Sequence, residues 1–464
     1  MPLQLLAGLL YSLSFKPVGL WFLAPIAIAI QFHALRRFRR PELQSFIFAF
    51  LSSLIILSWS KTFVGTLPWI SLALLQGLLA IPVGIVARFT PKVPYLILIT
   101  LLMEEVRARF PFGGFSWTKI AFSQVDSPFS HLVYFFGPIG LSLITLIVAL
   151  FILQPRATHI AIIAVVALGS LAWSLPIESG GTIRVRAIQG GVPERGLEFN
   201  ARAQAVLDNH IDVTLKELDG SEDLIVWPEN SIDIDPIRNK SVSAKLENLA
   251  RQIKKPFIAG AILDGEKLLN SSIYFDSQSK VKSIYVKRYL TPFGEYIPFR
   301  SIASFFSPYV EQVTDFSPGT QFVVHETSKA DVASIICYEL LNDGIVRQSS
   351  SGSDFLLVQT NSATFSGSSE GEQQLAITRL RALESGKSIV SISTTGPSAV
   401  INARGEVLMK LEDGEVGSLV SNISLNRSES FYHSLGGLGA PLVLLLTLIW
   451  SGISKDRYKR GLRV

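Results

Sequence analysis

A chain of 464 residues exceeds the size of one ordinary domain, so at least two domains are expected. Hydrophobic residues make up 48% of it and charged residues only 17%, with a mean hydropathy of +0.38, which excludes a purely soluble enzyme. The net charge of +5 does not indicate nucleic-acid binding, because the basic residues lie mostly at the ends of apolar segments.

Apolar segments dominate both ends of the chain. An α-helix needs about 20 residues to cross the hydrocarbon core of a membrane, so we interpret these segments as eight membrane helices, the first and fifth of them short. The segments span residues 3–15, 19–35, 43–60, 68–87, 93–106, 131–153, 158–175 and 437–453. They are nearly free of charged residues, which argues against an ion or solute pathway.

The loops between these segments predict an orientation. One set of alternate loops, together with the C-terminal tail, holds twelve Lys and Arg residues, and the opposite loops hold five. The positive-inside rule then places both termini in the cytoplasm. We therefore expect a transmembrane bundle at 1–178, an extracytoplasmic domain at 179–430, and a last helix with a basic cytoplasmic tail at 431–464.

One outer loop, residues 110–117, is rich in aromatic residues and glycine and ends at Trp117. Aromatic side chains favour the membrane–water interface, and an interfacial belt would explain the pattern. The alternative is a loop that contacts lipid or substrate beneath the outer domain.

Short apolar strands alternate with amphipathic helices between residues 182 and 425, which predicts an α/β domain with layered sheets and helices. Residues 272–275 and 283–286 predict a hairpin. The other strands are expected at 183–188, 224–227, 257–263, 332–336, 355–359, 389–393, 398–402 and 407–411, and helices at 198–218, 242–254 and 370–386.

Three strand ends in this domain carry reactive side chains. Glu229 follows a strand and a proline, Lys287 follows the hairpin, and Cys337, the only cysteine, follows a β-branched strand. Each has a structural explanation by itself: a helix cap, a solvated charge, or a buried thiol. Charged groups at the ends of buried strands are costly unless paired, so we expect these three to converge.

A converged set of this kind suits acyl transfer. A thiol must become a thiolate to attack well, a carboxylate can take its proton, and a lysine can stabilise the oxyanion that forms. A Cys-His pair finds little support, because no histidine follows a predicted buried strand. One cysteine also excludes an internal disulfide and the spacing of a zinc site.

The order and spacing of Glu229, Lys287 and Cys337 resemble the Glu-Lys-Cys triad of the nitrilase (carbon–nitrogen hydrolase) superfamily. With its apolar flanks, the whole chain resembles the bacterial apolipoprotein N-acyltransferase family. The resemblance implies eight transmembrane helices and a nitrilase-like α-β-β-α sandwich. The matching motifs are Gln189-Gly190, Trp227-Pro228-Glu229, Pro292-Phe293-Gly294-Glu295, Cys337-Tyr338-Glu339, Arg381-Ala382-Leu383-Glu384, Thr395-Gly396 and the loop at 112–117.

The resemblance implies a reaction and roles. Cys337 would take an acyl chain from a phospholipid as a thioester, and the amine of a diacylglyceryl-cysteine apolipoprotein would then accept it. Glu295 would hold Lys287 in place, and Tyr338 and Glu339 would support the nucleophile, with Glu339 helping to admit substrate. No cofactor, metal or nucleic acid is implied, and the expected enzyme is a monomer in the bacterial plasma membrane.

One region departs from the family pattern, which often has Asn-Asp-x-Trp-Phe in a loop that covers the site. Asn361 and Phe365 match, whereas Ser362 and Thr364 replace the Asp and the Trp. Position 191 is Gly where Asn is usual. The remaining candidates for substrate or lid contact are Phe293 and Trp117.

Two other functions remain open. A membrane-tethered amidase of the same superfamily would share the triad and hydrolyse a carbon–nitrogen bond, but it would not need the bundle or the aromatic loop. A non-catalytic membrane scaffold or transporter would not need an intact triad.

Overall fold

The computed structural model describes residues 2–172, 180–192, 199–304, 310 and 313–460. The chain divides into two compact units. The helical unit combines Met1–Leu175 with Ser430–Val464, and the α/β unit is Pro176–Glu429.

In chain order the α-helices of the described residues are α1 (Pro2–Leu13), α2 (Leu23–Arg37), α3 (Pro41–Ile56), α4 (Lys61–Val64), α5 (Thr66–Phe89), α6 (Val93–Arg107), α7 (Val133–Leu153), α8 (Ala157–Ala172), α9 (Phe199–Glu217), α10 (Lys240–Ile253), α11 (Arg300–Ala303), α12 (Asp343–Ser351), α13 (Glu370–Ser385), α14 (Phe431–Ser434) and α15 (Gly439–Arg460). The strands are β1 (Thr182–Gln189), β2 (Leu224–Val226), β3 (Phe257–Leu263), β4 (Leu269–Phe275), β5 (Val281–Val286), β6 (His325–Glu326), β7 (Asp331–Ile336), β8 (Phe355–Thr360), β9 (Ile389–Ser393), β10 (Ser398–Ile401), β11 (Val407–Leu411) and β12 (Gly417–Ser424).

Each predicted apolar segment overlaps a helix of the helical unit, although the end of the seventh lies outside the described residues. Among the described helical stretches, Thr66–Phe89, Ser130–Leu153 and Gly436–Ile453 are long and apolar enough to cross a membrane. Pro2–Leu13, Pro41–Ile56 and Ala157–Ser170 are apolar but shorter. The unit is therefore an all-α bundle rich in apolar helices.

A cluster of buried charges interrupts the apolar character of this unit at the end of α6. Glu104 and Glu105 are buried, and so is Lys119 on the following loop. Lys119 Nζ lies 3.6 Å from Glu105 Oε1, and Arg109 Nη1 lies 2.6 Å from Glu105 Oε2. The charges within the predicted apolar segments are thus concentrated at the end of α6, and two of their partners lie on the loop that follows.

Two six-stranded sheets form the α/β unit. Their strand orders are β12-β1-β2-β3-β4-β5 and β11-β10-β9-β8-β7-β6. Within the first sheet β1, β2 and β3 are parallel, and within the second β7, β8 and β9 are parallel. Antiparallel strands extend each parallel core: β4 and β5 follow β3 in the first sheet, and β10 and β11 follow β9 in the second.

The alternation of side chains along the strands builds the layers. Leu224 and Val226 of β2 pack into a core shared with the second sheet, which contributes Val332 and Leu357. Ile225, between the two β2 residues, faces the opposite way and packs with Leu246 and Leu249 of α10. Helices α12 and α13 contact strands of the second sheet. The layer order is the expected α-β-β-α sandwich.

The edge strand β12 of the first sheet and helix α12 are among the elements that escaped prediction. Strand β12 alternates small and polar residues with apolar ones, and it is held by antiparallel pairing with β1, from Thr182–Ser424 to Gln189–Gly417. Helix α12 is short, and it begins where the Asn342 side chain accepts hydrogen bonds from the backbone N–H groups of Gly344 and Ile345. Long-range pairing and local capping decide these elements, and hydrophobic periodicity reports neither.

Candidate active site

The ends of three strands of the α/β unit carry the reactive side chains. Lys287 directly follows β5, Cys337 directly follows β7, and Glu229 lies three residues beyond β2. The turn at Glu229 packs closely on β3, where a Cβ built at Gly260 would lie 2.3 Å from the Pro228 carbonyl oxygen and 2.6 Å from Glu229 Cα. Only glycine at position 260 leaves room for this turn.

Lys287 lies between two carboxylates. Its Nζ is 2.8 Å from Glu295 Oε2 and 3.3 Å from Glu229 Oε1, and all three side chains are buried. Asn270 of β4 links the same two carboxylates, because its Nδ2 donates hydrogen bonds of 2.7 Å to Glu229 Oε1 and Glu295 Oε1. The Thr291 backbone N–H also donates to Glu295 Oε2 at 2.7 Å. The predicted convergence of Glu229 and Lys287 is thus observed.

The surroundings separate the protonation behaviour of the two carboxylates. Burial raises the pKa of Glu229, and the Glu295 charge adds to the rise despite the opposing effect of Lys287. Burial also disfavours charge on Glu295, but Lys287 and the hydrogen bonds to Glu295 outweigh it and hold the pKa of Glu295 low. Glu295 is therefore the permanent counterion of Lys287, and Glu229 is the carboxylate suited to exchange a proton.

Lys287 stays charged in this arrangement. Burial alone would lower its pKa, but the charges of Glu295 and Glu229 reverse that effect and hold the pKa above its usual range. A fixed buried ammonium at a strand end is suited to stabilise a developing oxyanion.

Cys337 begins the 3₁₀ turn 337–341 in a left-handed conformation, with φ of 49°. A non-glycine residue in this region is strained, and such strain concentrates at functional sites. The residue is partly exposed, whereas Ile335 and Ile336 before it are buried, and Gln374 Nε2 of α13 lies 3.8 Å from Sγ. The backbone turn thus presents the thiol away from the strand and towards the first turns of α13.

The thiol is protonated at rest. Burial raises its pKa well above the usual value, and the charge of Glu229 adds to the rise while Lys287 opposes it. Cys337 therefore needs a base to become a nucleophile, and Glu229 acts electrostatically on it.

Glu339 is fully buried and serves as a junction between two strand ends. Its Oε1 accepts hydrogen bonds from Tyr285 Oη at 2.7 Å and from the backbone N–H groups of Arg288 at 2.8 Å and Tyr289 at 3.2 Å. Its Oε2 accepts from the Ile336 N–H at 2.8 Å. These contacts suit a role in positioning Lys287 and Cys337, and the substrate-admitting role that the resemblance implied stays a prediction.

Tyr338 is buried beside the nucleophile, and its ring stacks on Tyr289 with 5.2 Å between centroids. Since Tyr289 lies two residues after Lys287, this contact also ties the two strand ends together.

The lid candidates lie on loops of the same unit. Phe293 is 43% exposed with φ of 64°. Asn361 Oδ1 accepts hydrogen bonds from the Ala363 N–H at 3.2 Å and from Thr394 Oγ1 at 2.8 Å, so its side chain shapes its loop. Phe365 closes the 3₁₀ turn 363–365 and is half-buried. Of these three, Phe293 offers the most accessible apolar side chain.

Trp117 belongs to the helical unit and is 4% exposed. Its ring lies 4.8 Å from that of Trp59, measured between centroids. The exposed aromatic side chains of this loop are instead Phe110 and Phe112, which are 61% and 36% exposed. A contact with lipid or substrate through this loop is therefore better assigned to the phenylalanines.

Sequence reasoning missed four residues of the site: Asn270, Gly260, Gln374 and Glu370. Two of them could have been found from the sequence: Asn270 is a polar residue inside the buried strand β4, and Gly260 is a glycine inside the buried strand β3. Gln374 and Glu370 gave no such signal, because polar residues in the first two turns of a helix are ordinary. Within the described ranges, no group of three or more His, Cys, Asp or Glu side chains is arranged to hold a metal ion.

Comparison with known proteins matches both units to families. Residues 7–151 match the model of the apolipoprotein N-acyltransferase N-terminal domain, and residues 184–432 match that of the carbon-nitrogen hydrolase family. Among solved structures, an amidase from Nesterenkonia sp. is 20% identical, with 55% of this chain and 95% of that chain covered at a TM-score of 0.42.

Curated relatives carry one name. An apolipoprotein N-acyltransferase of Mycolicibacterium smegmatis is 31% identical, and the alignment covers 87% of this chain and 76% of the relative. Those of Geobacter metallireducens and Vibrio vulnificus are 27% and 26% identical, with 94% and 96% of this chain and 92% and 95% of the relatives covered. Both units match over most of their length, and on these matches the chain belongs to the apolipoprotein N-acyltransferase family.

Proposed function

We propose that this enzyme transfers a fatty acyl chain from a phospholipid to the N-terminal amine of diacylglyceryl-cysteine apolipoproteins, as the last step of lipoprotein maturation. The chain's family supports this reaction. The observation that carries it is the buried ammonium of Lys287, held between Glu229 and Glu295, together with Cys337, whose backbone is in the left-handed region.

The first half-reaction acylates the thiol. Glu229 takes the proton of Cys337, and Sγ attacks the ester carbonyl of the phospholipid. Lys287 stabilises the oxyanion of the tetrahedral intermediate. The C–O bond then breaks, and Glu229 returns the proton to the leaving alkoxide, which releases a lysophospholipid and leaves a thioester on Cys337.

The second half-reaction passes the acyl chain on. The neutral amine of the apolipoprotein attacks the thioester carbonyl, and Lys287 again faces the oxyanion. The C–N bond forms, the C–S bond breaks, and Glu229 carries the surplus proton from nitrogen to the departing thiolate. The product is an N-acylated, triacylated lipoprotein.

Three residues position this machinery without reacting. Glu295 keeps Lys287 charged and fixed, and Glu339 joins the ends of β5 and β7 through its four hydrogen bonds. Tyr338 adds the stacking contact with Tyr289. Phe293, Asn361 and Phe365 contribute to the substrate-binding and lid region.

The membrane arrangement is part of the same proposal. The helical unit crosses the bacterial plasma membrane eight times, at 1–178 and 431–464, with both termini in the cytoplasm. The domain at 179–430 then lies outside, where both lipid substrates arrive by lateral diffusion. The charge distribution of the loops and the apolar helices support this topology. The enzyme acts as a monomer.

The test is the intact mass of the purified full-length protein after incubation with phospholipid and no acceptor. We expect a gain of one fatty acyl group with release of lysophospholipid, and no gain in Cys337→Ala. Adding a synthetic diacylglyceryl-cysteine peptide should remove the adduct and acylate the peptide. A folded, lipid-supplied protein that forms no adduct would contradict the proposal and favour the amidase, which a panel of amides would then test.

A further inference from the structure

A second carboxylate of the α/β unit lies beside the reactive thiol and has no role in the mechanism above. Glu370 opens α13, and its side chain is 4% exposed. Its Oε2 is buried and has no hydrogen-bond partner among the described residues. A buried carboxylate oxygen without a donor is costly, so this atom needs an explanation.

Three observations place this carboxyl group at the active site. Gln374, one helical turn further along α13, lies on the same face of the helix and contacts Cys337 Sγ at 3.8 Å. The charge of Glu370 acts on Cys337 and raises the pKa of the thiol. The charge of Glu229, the base, in turn raises the pKa of Glu370. Glu370 therefore lies on the face of α13 that meets the thiol.

Glu370 can change its charge near neutral pH. Burial raises its pKa to about 7 against the lowering effect of Ser362, and the charges of Glu229 and Asp413 add to the rise. A carboxylate in this state gains most from a cationic hydrogen-bond donor, which would supply the missing partner and stabilise the charged form.

The acceptor of the second half-reaction has that chemistry. An α-amino group has a pKa of about 8, so most of it arrives as an ammonium ion at neutral pH. An ammonium ion cannot attack, and Lys287 repels it. The site therefore has to attract a cation next to a fixed ammonium and remove one proton before the amine can react.

We propose that Glu370 is the acceptor-binding residue of this enzyme: its free Oε2 receives the ammonium group of the incoming lipoprotein and takes its first proton. The inference rests on the proposed function and names the part of the site that serves its second step. The proton moves from nitrogen to the carboxylate and later to solvent. The neutral amine then attacks the thioester, and Glu229 handles the second proton, so charge and atoms balance.

The experiment separates the two half-reactions in the full-length protein in detergent. Acylation by phospholipid is followed by intact mass, and the acylated protein is then mixed with a synthetic diacylglyceryl-cysteine peptide or with hydroxylamine, which is uncharged at neutral pH. For Glu370→Gln we expect peptide transfer to slow by about 10- to 100-fold more than acylation or hydroxylamine cleavage does, as for one lost hydrogen bond to a charged group. Glu370→Asp should recover part of the peptide rate.

The matched control is Glu372→Gln. Glu372 lies on the same turn of α13 but pairs with Lys410 at 2.8 Å, so all three rates should stay at the wild-type level. Equal loss of acylation and peptide transfer in Glu370→Gln, a matching loss with hydroxylamine, or unchanged peptide transfer would each overturn the assignment. Wild-type protein that acylates but never transfers to the peptide would instead overturn the proposed function, and the role of Glu370 with it.

Discussion

Lys287 and Glu295 form a buried ion pair, with 2.8 Å between Nζ and Oε2, and each sets the charge of the other. Burial works against charge on both side chains, yet the pKa of Lys287 is raised and that of Glu295 is lowered. The pair is thus a fixed element of the site, and proton exchange falls to Glu229. Mutations that change the charge of Glu295 or the hydrogen bonds to Glu229 should therefore change the pH dependence of thioester formation.

Glu295→Gln should lower the maximal rate of thioester formation and shift its acid limb to lower pH. The change removes a charge that raises the pKa of Glu229, and it leaves Lys287 to pair with Glu229 alone, so both effects lower that pKa. Glu229 must be unprotonated to act as a base, so activity would persist to lower pH. The misplaced Lys287 should reduce the rate by about 100-fold. Intact-mass acylation rates across pH measure both effects, and an unchanged rate would refute the role of Glu295.

Asn270→Leu should move the acid limb in the opposite direction. The Asn270 amide hydrogen bonds to Glu229 and favours its charged form, so the pKa of Glu229 should rise when that donor is lost. The activity would then fall away at a higher pH than in wild type. The loss of two hydrogen bonds to buried carboxylates should also destabilise the protein by about 1–3 kcal/mol.

Ser271→Ala is the control for that variant. Ser271 is the next residue on β4, and its Oγ donates to the Ala261 carbonyl at 2.7 Å, away from the triad. It should lower stability by about 1 kcal/mol and leave the pH profile unchanged. A pH shift of the same size in both variants would mean that general loosening of β4 is the cause.

Gly260→Ala should abolish most of the activity through the position of Glu229. The added Cβ would meet the Pro228 oxygen at 2.3 Å, so the turn that carries Glu229 has to move. A displacement near 1 Å costs about 100-fold in rate. Gly417→Ala on β12 is the control, because its Cβ would have one neighbour, at 3.9 Å, and should change little. Near-normal acylation in Gly260→Ala would show that the site tolerates a shifted base.

Glu339→Gln should destabilise the protein and slow thioester formation together. The carboxylate accepts four hydrogen bonds, and the NH2 group of glutamine, itself a donor, would replace one of the accepting oxygens and face donors. A loss of about 3 kcal/mol is expected from this mismatch in a buried site. Thermal unfolding in detergent and acylation rates measure the two effects, with exposed Glu326→Gln as the control. If Glu339→Gln had normal stability but impaired substrate entry, the result would support the role of Glu339 in admitting substrate.

Much of this enzyme was predictable from its sequence because local patterns dictate it. The β-branched run before Cys337, the hairpin before Lys287 and the Trp-Pro-Glu turn each marked a strand end with a reactive residue. The cost of burying charge then predicted that Glu229 and Lys287 would meet, and they do at 3.3 Å.

The sequence by itself determined most of the elements, the layered α/β class and the three reactive residue types, since hydrophobic periodicity is a local property. The α-β-β-α order of the layers came from the family resemblance. Only the tertiary structure decided how protons are shared. Asn270, Gly260 and Glu370 come from three different elements, and whether a polar side chain is buried, paired or left with a free oxygen depends on neighbours far away in the chain. Electrostatic energy depends on such distances and on burial, which one-dimensional spacing does not contain.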